Sequence, residues 1–498
     1  MYNYLNDLKL LIPEIFLLEF LLYLLIFGVY YNNVSLYKFP QTQKSVWFLS
    51  NLCLIWLFLL TLNSSVIPEY LISNNSLFYN TSLTIFFKLL LIFSALILFL
   101  ISYNYLRITK SINVYELYIL KLIAVFSMLL LIASYNFISL YLTIELQSLC
   151  FYVLAALNRN SLLSVEASIK YFVLGGFSSA LLLFSIVLFY SVYGTFSFQE
   201  LNFLLKFYLL DDSQLQTIFT IGTISFLIGF FFKLGLAPFH LWLPDVYLGV
   251  SKYIVVFFSL LPKIPLLFVF WRLHNTTFLN NYIYELKFSY TDLILAIILL
   301  TWFIGSLGAI SQDKIWGLFA FSSIVHTGFL TLCVLMKTVE IFCLYSTLYV
   351  ILSVIISVLL LNLSAYTQKE RSPLIKELTF FNKINFTLAM ILSLTFLSLA
   401  GIPPLAGFFF KFILFLELSL LGLYKYTLIS FFMSALSSIY YLRITYTFTF
   451  INNKNYIFYK NKTLTSFNSY LISLFFILNL IFLICFGTFI DFFSYINY

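Results

Sequence analysis

Residues 399–412 read LAGIPPLAGFFFKF, a proline- and glycine-containing stretch that ends in a lysine and a phenylalanine. It places Gly401, Pro403, Pro404 and Lys411 inside an apolar run that is long enough to cross a membrane. Proline removes a backbone donor and kinks a helix, and irregular backbone at membrane depth is tolerated only beside protein or water. The stretch therefore predicts a discontinuous transmembrane helix with a lysine just after the break.

A second stretch repeats this pattern. Residues 232–245 read FKLGLAPFHLWLPD, with Gly235 and Pro238 just past Lys233. A single proline kink is weak support for a site, but two breaks, each beside a lysine in an apolar run, are typical of ion sites in transporters.

The composition of the whole chain agrees with a membrane protein. Of its 498 residues, 62% are hydrophobic and only 9% are charged, and the mean hydropathy is +1.02. A soluble domain carries about 25% charged residues. The apolar runs are continuous, which excludes a β-barrel, and no basic patch indicates nucleic-acid binding. We expect an all-α polytopic membrane protein.

The apolar segments predict about fourteen transmembrane helices in a single membrane domain spanning residues 1–498. The segments lie near residues 10–31, 45–63, 83–104, 116–135, 136–157, 165–193, 217–237, 250–271, 291–311, 316–336, 339–365, 384–418, 425–448 and 469–494. Helices 7 and 12 carry the two breaks. We divide the domain into three N-terminal helices (1–110), two five-helix parts (111–275 and 288–450) and a C-terminal helix (451–498).

The spacing of the polar residues indicates an internal repeat. Lys233 and Lys411 are 178 residues apart, and Glu145 and His326 are 181 apart. Helices 4–8 and 9–13 would then be two five-helix repeats, and an odd number of helices per repeat forces opposite orientations in the membrane.

The loop charges predict the orientation of the chain. Lysines and arginines concentrate in the odd-numbered loops, whereas Arg272 and a few others belong to the even-numbered ones. By the positive-inside rule the odd-numbered loops should face the matrix or cytoplasm. Both termini should then face the other compartment, which in a mitochondrion is the intermembrane space. Abundant Phe, Tyr, Ile, Asn and Lys indicate an A/T-rich genome, and the N-terminus shows no signal or transit segment, so we expect an organelle-encoded protein of the mitochondrial inner membrane.

Several ionisable residues lie within the apolar segments. They are Lys88, Lys121, Glu145, Lys170, Lys233, Lys263, His326 and Lys411. A lysine at a helix centre costs ~2.5–3.5 kcal/mol on insertion scales, so such residues mark function by default. We expect Lys88 and Lys121, near helix ends, to extend to the interface instead. We also expect Trp302 and Tyr440 to face lipid as interfacial anchors.

Glu145, within LTIELQSL (142–149), needs a buried cation, and lysines on helices 6 and 7 can supply one. Burial disfavours the ammonium form of a lysine, and a nearby carboxylate restores it. A Glu–Lys pair whose separation changes would therefore hold or release a proton.

Several strings together resemble one family, the antiporter-like subunit 2 family of NADH dehydrogenase (respiratory complex I). They are LYLTIELQSLCFYVLAAL (140–157), EASIKYFVLGGFSSALLL (166–183), FFKLGLAPFHLWLPDVYLG (231–249), FFSLLPKIPLL (257–267), FSSIVHTGFL (321–330) and LAGIPPLAGFFFKF (399–412). The opening LIPEIFLLEFLLYLLIFGV (11–29) is similar to the long form of the family. Lys411 separates this chain from the subunit 4 type, which has Glu at the same position.

The resemblance implies a fourteen-helix subunit of a proton-pumping arm, with proton-transfer residues at Glu145, Lys170, Lys233, Lys263, His326 and Lys411. In this interpretation Glu145 modulates Lys233, Lys263 passes a proton along the membrane midplane towards His326, and Lys411 exchanges protons with one side or with the next subunit.

The resemblance also implies which components lie elsewhere. NADH, FMN, iron–sulfur clusters and ubiquinone are expected in other subunits, with no cofactor or metal in this chain, because it has no nucleotide motif and its five cysteines have no metal-binding spacing. Expected partners are other complex I membrane subunits (the subunit 4 type and small helical subunits) and the lipid bilayer. A freestanding cation/proton antiporter and a purely structural role for the charges remain as alternatives.

Overall fold

The computed structural model describes residues 10–33, 41–64, 71–72, 77–109, 115–207, 213–276, 282–283, 288–336, 338–367, 374–375, 386–449, 466–484, 487–489 and 491. These residues are predominantly helical, and two short antiparallel pairs accompany the helices. The pairs are β1 (Leu71–Ile72) with β2 (Tyr79–Asn80), and β3 (Tyr282–Ile283) with β4 (Phe288–Ser289).

Eighteen helices lie within the described residues. In chain order they are α1 (Ile12–Asn33), α2 (Gln41–Ser64), α3 (Ser82–Thr109), α4 (Glu116–Ala133), α5 (Phe137–Ala155), α6 (Leu162–Tyr193), α7 (Phe198–Phe207), α8 (Ser213–Leu234), α9 (Trp242–Gly249), α10 (Lys252–Leu260), α11 (Lys263–Thr276), α12 (Tyr290–Ser311), α13 (Ile315–Leu335), α14 (Val339–Thr367), α15 (Phe386–Ala400), α16 (Ala406–Leu420), α17 (Tyr424–Thr449) and α18 (Ser466–Ile484).

Twelve helical stretches of the described chain are long and apolar enough to cross a membrane. The helical, multi-pass architecture predicted from the sequence is thereby confirmed. The stretch Lys252–Thr276 counts once although it contains both α10 and α11. The apolar parts of α15 and α18 are shorter, so the number fourteen stays a prediction.

The chain forms two compact units. The first unit comprises Met1–Tyr103, Lys110–Leu234 and Gly249–Leu293, and the second comprises Asn104–Thr109, Gly235–Leu248 and Ile294–Tyr498. In the first unit α4 packs on α5, and α6 packs on α8; in the second, α15 packs on α17, and α14 packs on α13 and α18. The single domain and its internal boundaries stay a prediction.

Helix α13 lies in the core because it is apolar on every face, which leaves no polar side for water. Nearly all its residues are buried, including Trp316 and His326. Trp302 and Tyr440, which we expected to face lipid, are also buried, with exposed fractions of 2% and 0%. That expectation was wrong, because an aromatic residue in an apolar run suits a core position as well as an interfacial one.

Both predicted helix breaks are confirmed. Helix α8 ends at Leu234 and α15 ends at Ala400, and the next helices begin at Trp242 and Ala406. Each first half-helix is followed by a glycine in the left-handed region, Gly235 with φ +74° and Gly401 with φ +80°. A glycine adopts this conformation without the steric cost of a Cβ, which explains why the helices stop there.

A third interruption was not predicted. The helical path pauses at Leu261–Pro262 and resumes with Lys263 as the first residue of α11. Pro262 and Pro265 have no N–H to donate to the preceding turn, so the helical ladder loses two bonds around this lysine. The lysine predicted at the centre of helix 8 therefore lies at a local irregularity, as Lys233 does one residue before the end of α8.

The loop residues that decide the predicted orientation lie largely outside the described residues, among them 34–40, 110–114 and 451–465. One of the arginines assigned to the predicted loops is not a loop residue in the structure. Arg272, counted as a loop residue, is buried, and its Nη1 donates to the carbonyl oxygen of Ser134 at 2.6 Å. It ties the end of α11 to the α4–α5 turn.

Candidate functional site

In the first unit, Glu145 and Lys233 are not joined by an ion pair. Glu145, on α5, is half-buried, and its Oε2 accepts from the Ser148 hydroxyl at 3.4 Å. Lys233, the second-last residue of α8, donates from Nζ to the Tyr152 hydroxyl at 3.4 Å. Lys233 therefore contacts a third residue, Tyr152, which lies on the same helix as Glu145.

That third residue, Tyr152, is absent from the sequence-based site. Its ring contacts those of Tyr171 and Phe172 on α6, edge to face, with centroids 4.8 and 5.6 Å apart. The Lys233 amine lies 5.9 Å from the centre of the Tyr152 ring. The sequence could have indicated Tyr152 through its spacing. It is seven residues after Glu145, and residues seven apart lie on one face of a helix.

Lys170 lies apart from this group. It pairs with Glu166 one turn earlier on α6, Nζ to Oε1 2.7 Å, and the side chains are 44% and 62% exposed. The structure therefore does not bring Lys170 into the buried set. A residue four positions before a lysine on a helix is its natural partner, so this pair follows from local geometry.

Lys263 is buried, with an exposed fraction of 4%, at the start of α11. The expectation that Lys263 lies at membrane depth inside the protein agrees with this position. Its role in proton transfer stays a prediction.

Lys88 and Lys121 do not extend to the interface, and that expectation was wrong. Lys88 on α3 forms a buried ion pair with Glu14 on α1, Nζ to Oε1 2.6 Å, and donates to Asn80 Oδ1 at 2.9 Å. The sequence could not show this pairing, because the two charges are separated by a complete helix and its connections.

Lys121 is enclosed by rings. It is fully buried in α4, and its Nζ lies 5.5–5.7 Å from the ring centres of Phe99, Tyr118, Tyr253 and Phe257. In the part of the chain that the structure describes, this amine has no hydrogen-bond partner. Cation–π contacts are the interaction that offsets its burial.

In the second unit, His326 lies between two tyrosines. Its Nδ1 is 3.1 Å from the Tyr345 hydroxyl on α14, and its Nε2 is 3.0 Å from the Tyr441 hydroxyl on α17. A neutral imidazole donates from one nitrogen and accepts at the other, whereas the cation donates from both. Both states keep two hydrogen bonds here, so His326 can change charge without losing a partner. Neither tyrosine was predicted.

Lys411 binds the end of the broken helix. Its Nζ donates to the carbonyl oxygen of Ala400, the last residue of α15, at 2.8 Å, and lies 5.3 Å from the centre of the Phe329 ring. The last carbonyls of a helix lack intrahelical partners and carry partial negative charge, which attracts a cation. The break at Gly401 thus creates the acceptor that holds the lysine.

A small cavity joins these two residues. Its volume is about 20 Å³, which is room for a single water molecule, and its lining is mostly apolar although it includes His326, Tyr345, Tyr349, Ser398 and Lys411. The histidine and the lysine therefore line the same small cavity within the second unit.

Among the residues that the structure describes, no three His, Cys, Asp or Glu side chains are grouped to hold a metal ion. The polar groups of the predicted site are instead amines, a carboxylate and an imidazole, with serine and tyrosine hydroxyls beside them. These groups carry protons.

Comparison with known proteins places the chain in a family. Residues 134–437 match the family model described as NADH:quinone oxidoreductase/Mrp antiporter, TM. The chain is 36% identical over 463 residues to NADH-ubiquinone oxidoreductase chain 2 of Marchantia polymorpha, covering 91% of each protein. It is 32% identical over 472 residues to the protein of the same name from Arabidopsis thaliana, covering 93% of this chain and 92% of the relative.

The fold is similar to that of a solved complex. A chain of respiratory complex I from Thermus thermophilus superimposes with a TM-score of 0.75 at 23% identity, covering 95% of this chain and 98% of that one.

Proposed function

The chain belongs to the NADH:quinone oxidoreductase/Mrp antiporter membrane family, and from that membership we propose that it is a proton-translocating membrane-arm subunit of an NADH:ubiquinone oxidoreductase. The observation that carries the proposal is Lys411, a buried amine held on the carbonyl end of a broken helix beside a cavity that His326 also lines. A buried amine that shares a cavity with an imidazole is suited to take up and pass on protons.

The proposal assigns roles within each unit. In the first, Glu145 controls Lys233, and Lys263 passes the proton onward. In the second, His326 carries a proton, and Lys411 exchanges protons with one side of the membrane or with a neighbouring subunit. Lys170 has the weakest support of the predicted set, because it is exposed and paired with Glu166.

The proposed architecture is fourteen crossings with two inverted five-helix repeats. Its support is the order of elements: the fourth predicted crossing of each repeat is the broken one, α8 in the first and α15 in the second. In this arrangement helices 4–8 and 9–13 have opposite orientations, as the odd number requires.

The proposed setting is a multisubunit complex in the mitochondrial inner membrane, with both termini on the intermembrane-space side and an organellar gene. Other antiporter-like and small helical subunits would be its neighbours. NADH, FMN, iron–sulfur clusters and ubiquinone would act in other subunits, so this chain moves protons without redox chemistry of its own. The relatives named as oxidoreductase chains support this setting.

The first test is to separate the source membranes in mild detergent, stain the gel for NADH dehydrogenase activity and identify this chain by mass spectrometry. We expect it in the large NADH-oxidising band. Its presence in a smaller complex without NADH activity, together with sodium-dependent proton flux, would favour a freestanding antiporter instead.

The second test uses the assembled complex in proteoliposomes. We expect Lys263→Ala to lower the number of protons pumped per NADH oxidised, whereas Lys425→Ala, at an exposed lysine of α17, leaves it unchanged. Unchanged pumping in the Lys263 variant would remove Lys263 from the path.

A further inference from the structure

Tyr152 lies on the same helix as Glu145 and contacts Lys233. The Lys233 amine donates to its hydroxyl at 3.4 Å, and that amine has no carboxylate within ion-pair distance among the described residues. A distance of 3.4 Å is at the long end for a hydrogen bond, and catalytic hydrogen bonds are often long in a resting structure.

Helix α6 is shaped to admit this hydroxyl. A Cβ built on Gly175 would lie 2.7 Å from Tyr152 Cζ and would overlap the hydroxyl oxygen itself. The neighbouring Gly176 has nothing within 4 Å of such an atom. Only the absence of a side chain at Gly175 lets the phenol reach the backbone of α6, and Tyr152 is buried there with an exposed fraction of 7%.

Ser148 lies between Glu145 and Tyr152 along α5. Its hydroxyl lies 3.4 Å from Glu145 Oε2 and 3.0 Å from the carbonyl oxygen of the same residue, and Ser148 stands four residues, about one helical turn, before Tyr152. Glu145, Ser148 and Tyr152 stand at positions i, i+3 and i+7 of α5, so they form one stripe along the helix.

We propose that Tyr152 is a positioning residue that couples the charge of Glu145 to Lys233 through the hydroxyl of Ser148. This inference rests on the proposed function, because it explains how the carboxylate controls a lysine that it does not touch.

The coupling follows from the direction of the hydrogen bonds. With Glu145 ionised, Ser148 donates to the carboxylate, Tyr152 donates to Ser148, and the phenol oxygen accepts from the Lys233 ammonium. With Glu145 protonated, every bond reverses, and the phenol donates to the neutral amine of Lys233. A hydroxyl can serve both arrangements because it both donates and accepts. Moving between them transfers one proton from Lys233 to Glu145 and leaves Ser148 and Tyr152 neutral.

The test is a double-mutant cycle in the assembled complex, reconstituted in proteoliposomes. Tyr152→Phe keeps the ring and its contacts with α6 but removes the hydroxyl. We expect the initial rate of proton pumping per NADH oxidised to fall about threefold, the effect of one buried hydrogen bond. We expect Glu145→Gln to lower the pumping rate as well. The double variant should pump no more slowly than the slower of the two single variants.

Two further variants separate a coupling role from a packing role. Gly175→Ala keeps the hydroxyl but displaces it from its place, and we expect it to lower pumping as Tyr152→Phe does. Tyr193→Phe, which removes a hydroxyl elsewhere on α6 from a ring that packs on Phe219, should leave pumping unchanged. If Tyr152→Phe lowers assembly on native gels, Ser148→Ala carries the same test, because it removes a hydroxyl without disturbing a ring.

Independent, additive effects of Glu145→Gln and Tyr152→Phe would overturn the inference, as would wild-type pumping by Tyr152→Phe. Lys233→Met distinguishes this failure from a failure of the proposed function. If Lys233→Met abolishes pumping while Tyr152→Phe is normal, only the coupling through Tyr152 is wrong. If Lys233→Met also pumps normally, the assignment of the first unit is wrong.

Discussion

The amine of Lys411 donates a 2.8 Å hydrogen bond to the carbonyl oxygen of Ala400, eleven residues earlier in the chain. This bond exists because α15 stops at Ala400 and leaves its last carbonyls without helical partners. A continuous helix would have used that carbonyl internally. The discontinuity therefore provides the binding position of the lysine.

Lys411→Met is expected to lower proton pumping severely while the complex still assembles. Methionine has a similar length and suits an apolar position, but it has neither charge nor proton. Pumping is measured as protons per NADH oxidised in proteoliposomes, with Lys425→Met as the exposed control. Normal pumping by Lys411→Met would mean that the lysine only fastens α16 to α15.

Gly407→Ala is expected to destabilise the second unit. A Cβ at Gly407 would overlap the carbonyl oxygen of Ser398, and a backbone atom cannot move aside as a flexible side chain can. Overpacking of this kind costs about 1–3 kcal/mol. The control is Gly176→Ala, where an added methyl group meets nothing within 4 Å. The yield and thermal stability of the purified complex measure the difference, and equal stability of both variants would contradict the close approach.

Substitutions of Lys88 and Glu14 are expected to have strongly non-additive effects on stability, because the two side chains form a buried ion pair. Replacing either partner alone leaves a buried charge and should cost about 3–5 kcal/mol, whereas replacing both with methionine should restore much of the stability. The exposed pair Lys170–Glu166 is the matched comparison, and Lys170→Met should change stability by less than about 1 kcal/mol. Similar effects at both pairs would show that Lys88 is solvated.

The four aromatic rings around Lys121 are expected to tolerate a positive or a neutral side chain at this position but not a negative one. The faces of aromatic rings carry negative partial charge, so they favour a cation and disfavour an anion. Lys121→Met should therefore assemble, and Lys121→Glu should not, as judged by the NADH-stained band on native gels. Assembly of the Lys121→Glu variant would mean that the cage opens to water.

Much of the fold followed from local properties of the chain. The apolar runs predicted the helices because length and hydropathy are sufficient to identify a spanning segment. Gly235, Pro238, Gly401, Pro403 and Pro404 predicted both breaks because backbone freedom and missing donors act within one turn. The pause before Lys263 was missed, although Pro262 and Pro265 were visible.

The partners of the buried charges depended on the tertiary structure. Lys88 pairs with Glu14, Lys121 lies among four rings, and Lys233 meets Tyr152 rather than Glu145. Local sequence predicts that a buried charge needs compensation, but it does not say which distant group supplies it, because helix packing brings together residues from different segments.

Local sequence was therefore enough to locate most of the helices and two of their three breaks, since these follow from transfer free energy and backbone sterics. Only helix packing established that Lys88 and Lys121 are buried, that Lys411 binds the end of α15, that His326 lies between two tyrosines and that Lys170 stays at the surface. These outcomes depend on which helix faces meet, and packing of side chains against one another sets that.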